Sequence, residues 1–402
     1  MKQIDGGICA PQGFRASAAA AGIKDNGGGR LDCALVASAS PCTVAGTFTT
    51  NRVQAAPVQW DRDVCARGRA RAVAANSGNA NACTGRQGYE DTRAIAEAAG
   101  NQLGVPAGEV CVLSTGVIGV PLPMERLLEG VRQCVETLSP DGGSKAAEAI
   151  MTTDTRPKET AVELEIAGHP VRIGAMAKGA GMIAPNMATM LCVLTTDAEA
   201  APPVLSDLLR ECVARSFNRI CVDNDMSTND TVLCLASGRS GAAPIEPGAP
   251  GFDTFREALE AVCVEMAQAL VRDGEGASKF VEIRVEGARD DAEARLAAAA
   301  IAKSQLCKTA FFGEDPNWGR LACAAGYSGA AVNPGELAVW LGPVQVLRGG
   351  LPTDYAEEDA AAVMRAHDIT VRIALGEGGG EAVFWTSDLS HEYVSINADY
   401  RT

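Results

Sequence analysis

Ala177-Lys178-Gly179-Ala180-Gly181-Met182-Ile183-Ala184-Pro185-Asn186-Met187-Ala188-Thr189 is a stretch of small residues set between two apolar runs, Val171 to Met176 before it and Met190 to Leu194 after it. Both runs have the length of strands. The second is continuous enough to be buried on both faces. Between them the glycines let the backbone take conformations closed to other residues and approach its neighbours closely. A loop of this kind, held by two rigid strands, is where chemistry tends to sit.

Outward from the loop the pattern keeps mixing strands and helices. Val162 to Ile166 and Val171 to Met176 flank Gly168-His169-Pro170 and read as a hairpin. Val281, Ile283 and Val285 alternate with Glu282, Arg284 and Glu286, the mark of a half-buried strand. Pro202 to Phe217 opens with prolines and puts Leu205, Leu208, Leu209, Cys212 and Val213 on one stripe, which predicts a helix. A second helix is expected from Phe255 to Asp273, with Gly274 as its C-terminal cap. Further helices are expected at Asp290 to Lys303 and Tyr355 to His367. The mixture places the chain in the α/β class.

Composition narrows the function classes. The 402 residues can bury a sizeable core, yet aromatics make up only 4% while glycines number 43, so packing must rely on small side chains. The formal net charge of −15 would repel a phosphate backbone, so no nucleic-acid partner is expected. No run of apolar residues is long enough for a membrane span, and Met1-Lys2-Gln3-Ile4-Asp5 lacks an apolar signal core. A cytoplasmic protein with no membrane partner is the expectation. The 14 cysteines lie singly, with no Cys-x-x-Cys pair, and there are only 3 histidines, a spacing that argues against a zinc site. Reduced, buried cysteines are expected instead.

Thr189 is the centre of the proposed chemistry. A threonine hydroxyl is a weak nucleophile until a base takes its proton. With His169, His367 and His391 dispersed, a serine-hydrolase triad has no obvious anchor in the sequence. Cleavage of the Ala188–Thr189 bond would supply a base directly, because the freed α-amine, with an ordinary pKa of ~7.7–8.0, sits on the same residue. The same hydroxyl could make that cut by attacking the Ala188 carbonyl. Read locally, without further context, a threonine opening a buried strand is an ordinary structural residue.

Lys178 to Leu191 resembles the self-cleavage signature of the ornithine acetyltransferase (glutamate N-acetyltransferase) family. Gly46-Thr47-Phe48-Thr49-Thr50-Asn51, Asn76-Ser77-Gly78-Asn79-Ala80-Asn81, Ser114-Thr115-Gly116-Val117-Ile118-Gly119, Met151-Thr152-Thr153-Asp154-Thr155, Asp315-Pro316-Asn317-Trp318-Gly319-Arg320 and Ile396-Asn397-Ala398-Asp399-Tyr400-Arg401-Thr402 resemble further family segments, in order along the whole chain. The resemblance implies cleavage between Ala188 and Thr189, Thr189 as nucleophile, and Thr115 and Gly116 as the oxyanion hole. It implies substrate contacts from Thr152 (favoured over Thr153), Lys178, Thr189, Glu275, Asn397 and Thr402. Lys178 would meet a substrate carboxylate, and Glu275 the ammonium end or the attacking amine. It also implies a layered α-β-β-α sandwich, an α chain of residues 1–188, a β chain of 189–402, and assembly of two α and two β chains.

The expected reaction is a ping-pong transfer of acetyl from N-acetylornithine to glutamate through an acetyl ester on Thr189, with no metal and no redox cofactor. Whether acetyl-CoA is also a donor is left open. A self-cleaving aminopeptidase or amidohydrolase, which would release the acyl group to water, is the alternative. A phosphate-binding module built on Lys178-Gly179-Ala180-Gly181 is a weaker one, since the P-loop spacing is missing. Asp315 to Arg320 is expected to be structural, with Trp318 packed and Arg320 paired. Asn224 to Asp230 is expected to be a hydrogen-bonded loop. The alanine-rich Phe14 to Lys24 and the cysteines at 192 and 307 depart from the family's habit without touching the expected chemistry.

Overall fold

The computed structural model describes residues 1–24, 29–184 and 190–398. In chain order the strands are β1 (Lys2–Gln3), β2 (Phe14–Ala19), β3 (Cys33–Phe48), β4 (Arg69–Asn79), β5 (Val110–Val117), β6 (Lys158–Ile166), β7 (His169–Lys178), β8 (Leu191–Thr196), β9 (Ile220–Cys221) and β10 (Thr231–Ala236). They continue with β11 (Phe280–Ala288), β12 (Ala338–Leu341), β13 (Val344–Arg348), β14 (Leu351–Pro352), β15 (Asp368–Ala374) and β16 (Gly380–Ser387). Two compact units share them: Met1–Ala180, Asn186–Asn218 and Met226–Leu270 form the first, and Gly181–Pro185, Arg219–Asp225 and Val271–Thr402 the second.

In the first unit a nine-stranded sheet runs β1-β6-β7-β8-β10-β3-β4-β5, with β2 added to β3. The 16-residue β3 is long enough to pair β2 through Cys33 to Ser38 and β10 through Thr43 to Phe48. Its ladder to β4 shifts register between Ala37 and Cys42, around Pro41, which has no N–H to donate. The strands are rich in Ala, Val and Leu. Their side chains share one core with Trp60 and Val64, Ile95 and Ala99, Leu127 and Val131, and Ala146 and Ala147, from the helices Ala56–Ala66, Gly85–Leu103, Met124–Glu136 and Gly143–Ala149. Alanines at these contacts bury little area each, so the layers must approach closely.

The second unit holds a seven-stranded sheet of order β14-β13-β12-β15-β11-β16-β9. Val281, Ile283 and Val285 point into its core while Arg284 is exposed, as their alternation predicts. Ala294, Ala297, Ala298 and Ile301 of the helix Asp291–Lys303 close over the same core. Asp290 caps that helix by accepting the Glu293 N–H at 2.9 Å. Two sheets with packed helices give the α/β class read from the sequence.

Several local expectations need correction. Ala177 and Lys178 belong to β7 rather than to the loop, because the ladder to β8 continues through Ala177–Cys192 and Lys178–Leu191. The helices expected at Pro202 to Phe217 and Tyr355 to His367 are shorter, Pro202–Arg215 and Glu357–Arg365. The helix Phe252–Arg272 ends before Gly274, whose N–H bonds the Val271 carbonyl in a further turn, and the positive φ of 67° falls on Gly276. The hairpin of β6 and β7 is tighter than its flanking sequence suggests, turning through Ala167 and Gly168.

All 14 cysteines are unpaired. Eleven are buried, Cys65 is partly exposed, and Cys83 and Cys323 are exposed, one in each unit. Cys192 and Cys307 fill core positions at 0% exposure. Among the described residues no helix is long and apolar enough to cross a membrane.

Candidate active site

The C-terminal ends of β4 and β5 run side by side in parallel, pairing Ser77 with Thr115 and Gly78 with Gly116. At this point the strands leave no room for a side chain. Gly116 has φ of 132°, and a Cβ there would overlap the Gly78 carbonyl carbon and lie 2.5 Å from the Asn79 nitrogen. Only glycine fits. Amide side chains then fix the backbone around it. Asn76 accepts from the Ser114 hydroxyl at 2.7 Å and donates to the Asn79 carbonyl at 2.9 Å. Asn229 donates to the carbonyls of Ala80 and Ser114 at 2.6 and 2.7 Å. Thr115 is held at 4% exposure in this frame.

Lys178 ends β7, buried at 2% exposure. Its ammonium donates to Thr152 Oγ1 at 2.8 Å and Thr115 Oγ1 at 3.2 Å. Three of the residues singled out in the sequence, from three separate segments, thus meet in the first unit. Of the Thr152-Thr153 pair, Thr152 places its hydroxyl 2.8 Å from the Lys178 ammonium. Asp154, two residues on, accepts from the backbone N–H groups of Thr152 at 3.0 Å and Gly179 at 2.7 Å and from the Lys158 ammonium at 2.6 Å. Burial pushes the Asp154 carboxyl up. The Lys178 and Lys158 ammoniums and the Gly179 N–H outweigh it and hold the group at about 2.

On the far side of the loop, Met190 N–H donates to Asp230 Oδ1 at 3.0 Å. Asp230 is fully buried, and burial pushes its carboxyl well above the usual range, with the Met190 N–H and Lys178 opposing. Thr228, Asn229 and Ser227 are likewise buried and hydrogen-bonded, Thr49 Oγ1 donating to the Ser227 carbonyl at 2.9 Å. The hydrogen-bonded loop expected at the end of Asn224 to Asp230 is there.

A second group lies in the other unit. Asn397 donates to Glu275 Oε2 at 2.7 Å, and Glu275 is 9% exposed. Gly181 belongs with them: a Cβ on it would sit 2.5 Å from Glu275 Cδ. Asp223 accepts from the N–H groups of Met182 at 2.6 Å and Ile183 at 2.8 Å and from the Tyr393 hydroxyl at 3.2 Å. Burial raises the Asp223 carboxyl, and burial together with Asp223 raises the Tyr393 phenol.

Ala188, Thr189 and Thr402 lie outside the described residues. Asp315 to Arg320 is structural: Asn317 caps the helix Trp318–Gly326, Trp318 packs on the second core, and Arg320 donates to the Leu306 carbonyl at 2.8 Å. The sequence reading gave no role to Asp154 or Lys158. The opposite charges four residues apart at Asp154 and Lys158, outside any helix, were the available signal.

Comparison with known proteins places this arrangement. The ArgJ family profile matches residues 15–402. The arginine biosynthesis bifunctional protein ArgJ of Symbiobacterium thermophilum is 52% identical over 402 residues, the full length of both chains. The protein of the same name from Geobacter sulfurreducens is 49% identical, over 97% of this chain and 99% of its own. In the crystal structure of arginine biosynthesis bifunctional protein argJ from Bacillus halodurans, a chain 40% identical matches with a TM-score of 0.50, covering 51% of this chain with 96% of its own length. A profile matched almost end to end, and relatives identical at about half of all positions, leave one conclusion: the chain belongs to the ArgJ family.

Proposed function

We propose that the protein moves an acetyl group from N-acetylornithine to glutamate in arginine biosynthesis, through an acetyl ester on Thr189. One observation carries the site reading: Lys178, at the strand end that leads into the Ala188–Thr189 motif, gathers Thr152 and Thr115 around a buried ammonium. A lysine ammonium at the end of this strand, beside two hydroxyls that can turn toward a ligand, is suited to a carboxylate. N-acetylornithine and glutamate share an α-carboxylate, so one anchor serves the donor and then the acceptor.

The chain first cuts itself. The Thr189 hydroxyl attacks the Ala188 carbonyl, the acyl group passes from nitrogen to oxygen, and water releases the 1–188 fragment. The new α-amine then accepts the hydroxyl proton. The hydroxyl attacks the acetyl carbonyl, and the oxyanion is stabilised at Thr115 and Gly116. Ornithine leaves, glutamate enters, and its α-amine takes the acetyl group. Gly116 suits that role because nothing but backbone fits beside it. Glu275, with Asn397 donating to it, supplies a carboxylate for an ammonium group. No step calls for a metal or redox cofactor, and acetyl-CoA is a further candidate donor. The Bacillus halodurans chain, about half as long as this one, supports the cut, and 1–188 and 189–402 would be its products here. Two of each would assemble in the cytoplasm.

The test is Thr189→Ala. It should leave one uncut chain on a denaturing gel and no transfer from acetylornithine to glutamate. Full transfer by the uncut variant would overturn the reading. Release of acetate at the same rate with and without glutamate would point instead to a hydrolase.

A further inference from the structure

Asp154 takes no part in the chemistry above, yet its carboxylate is the point where the segments carrying two substrate contacts are joined. Oδ2 accepts the Thr152 N–H at 3.0 Å, and Oδ1 accepts the Gly179 N–H at 2.7 Å and the Lys158 ammonium at 2.6 Å. We propose that Asp154 is a positioning residue for acetyl transfer, tying the Thr152 segment to the end of β7 so that the Lys178 ammonium is aimed to receive a substrate carboxylate. The inference rests on the acetyltransferase reading and deepens it.

The geometry separates this role from that of an ordinary buried ion pair. A pair needs Lys158 alone. Asp154 also binds two backbone N–H groups, one on each segment that must be aligned. Gly179 follows Lys178, so fixing its N–H fixes the peptide plane that ends Lys178. Lys158 opposite Ala177 in the β6–β7 ladder gives the carboxylate a rigid anchor. The side chains of Asp154 and Lys158 are 0% and 1% exposed, so water cannot take over either contact. With both N–H groups held, Thr152 Oγ1 stays 2.8 Å from the Lys178 ammonium.

Asparagine tests the idea at constant volume. It offers an acceptor on one branch only. Its amide NH2 must then face either the Thr152 N–H or the Gly179 N–H, donor against donor. One of the two segments is released whichever way the amide turns.

The experiment compares the unaltered protein, Asp154→Asn and Lys158→Gln for melting temperature, self-cleavage, and KM and kcat with acetylornithine and glutamate. Asp154→Asn should cut itself and raise KM for both substrates about ten- to a hundredfold, the size of one charge-assisted hydrogen bond, with kcat within about threefold. Lys158→Gln keeps a donor but not the charge, and should raise both KM values by a few-fold. A purely structural Asp154 would lower the melting temperature and the active fraction at unchanged KM, and that result overturns the inference. Should Asp154→Asn yield no folded protein, unchanged KM values in Lys158→Gln overturn it as well. If the unaltered protein transfers no acetyl group, the acetyltransferase reading fails and takes the inference with it. Transfer with unchanged KM in both variants removes the inference alone.

Discussion

The Lys178 ammonium donates to Thr152 Oγ1 at 2.8 Å, joining two segments 26 residues apart in the chain. If this contact holds the cation for a substrate carboxylate, Lys178→Ala should raise KM for acetylornithine and glutamate together. Thr152→Val, which removes only the hydroxyl, should lower kcat/KM about tenfold or more, the loss of a hydrogen bond to a charged group. Steady-state kinetics on both substrates measure this, and unchanged saturation curves would count against the role of Lys178.

The contact of β4 and β5 makes a second prediction. Gly116→Ala forces a methyl group against Gly78 at a φ of 132°. The strands must part, at a cost of about 1–3 kcal/mol by overpacking alone. If Gly116 is part of the oxyanion hole, displacing its donor should lower kcat ~10²–10³-fold in whatever protein remains folded. Thermal melting and single-turnover acetylation separate the two effects.

Acid should unfold the protein partly through Asp154. Its folded carboxyl sits at about 2, against an ordinary value of 3.8. A depressed carboxyl adds stability above its unfolded pKa, and that stability is lost as pH falls through the folded one. The difference in urea unfolding free energy between the unaltered protein and Asp154→Asn should therefore shrink by about 2 kcal/mol between pH 5 and pH 2. A gap that stays constant across this range would show that the carboxyl is not depressed.

Gly181→Ala probes the second group. The added methyl displaces the Glu275 carboxylate, to which Asn397 donates. KM for acetylornithine should rise with little change in melting temperature, since Gly181 is not fully buried. Asn397→Ala should act in the same sense and more weakly.

The strands flanking the small-residue loop were legible because their apolar runs are continuous. The loop's start was not. Lys178 reads as a loop residue by its charge, but the Thr152 and Thr115 hydroxyls and the charge of Asp154 let it stay in the ladder and out of water. Helix extents slipped at ends without a strong sequence signal, such as Glu357, whose preceding Ala356 makes no side-chain cap. Sheet order was beyond local pattern: β10 joins β8 in parallel from some 40 residues away, and β3 serves β2 and β10 in turn. Thr115, Thr152, Lys178, Glu275 and Asn397 were named through whole-chain resemblance. Asp154 was missed because opposite charges four residues apart suggest a pair but not its burial, and only the fold supplies its three donors.

The distribution of thiols has a practical consequence. With eleven of the fourteen cysteines shielded, maleimide dyes should attach first at Cys83 and Cys323. One handle falls on each compact unit, and each lies on a different side of the Ala188–Thr189 bond. A dye at each of these two natural attachment points would label the two cleavage fragments separately, without removing a single cysteine.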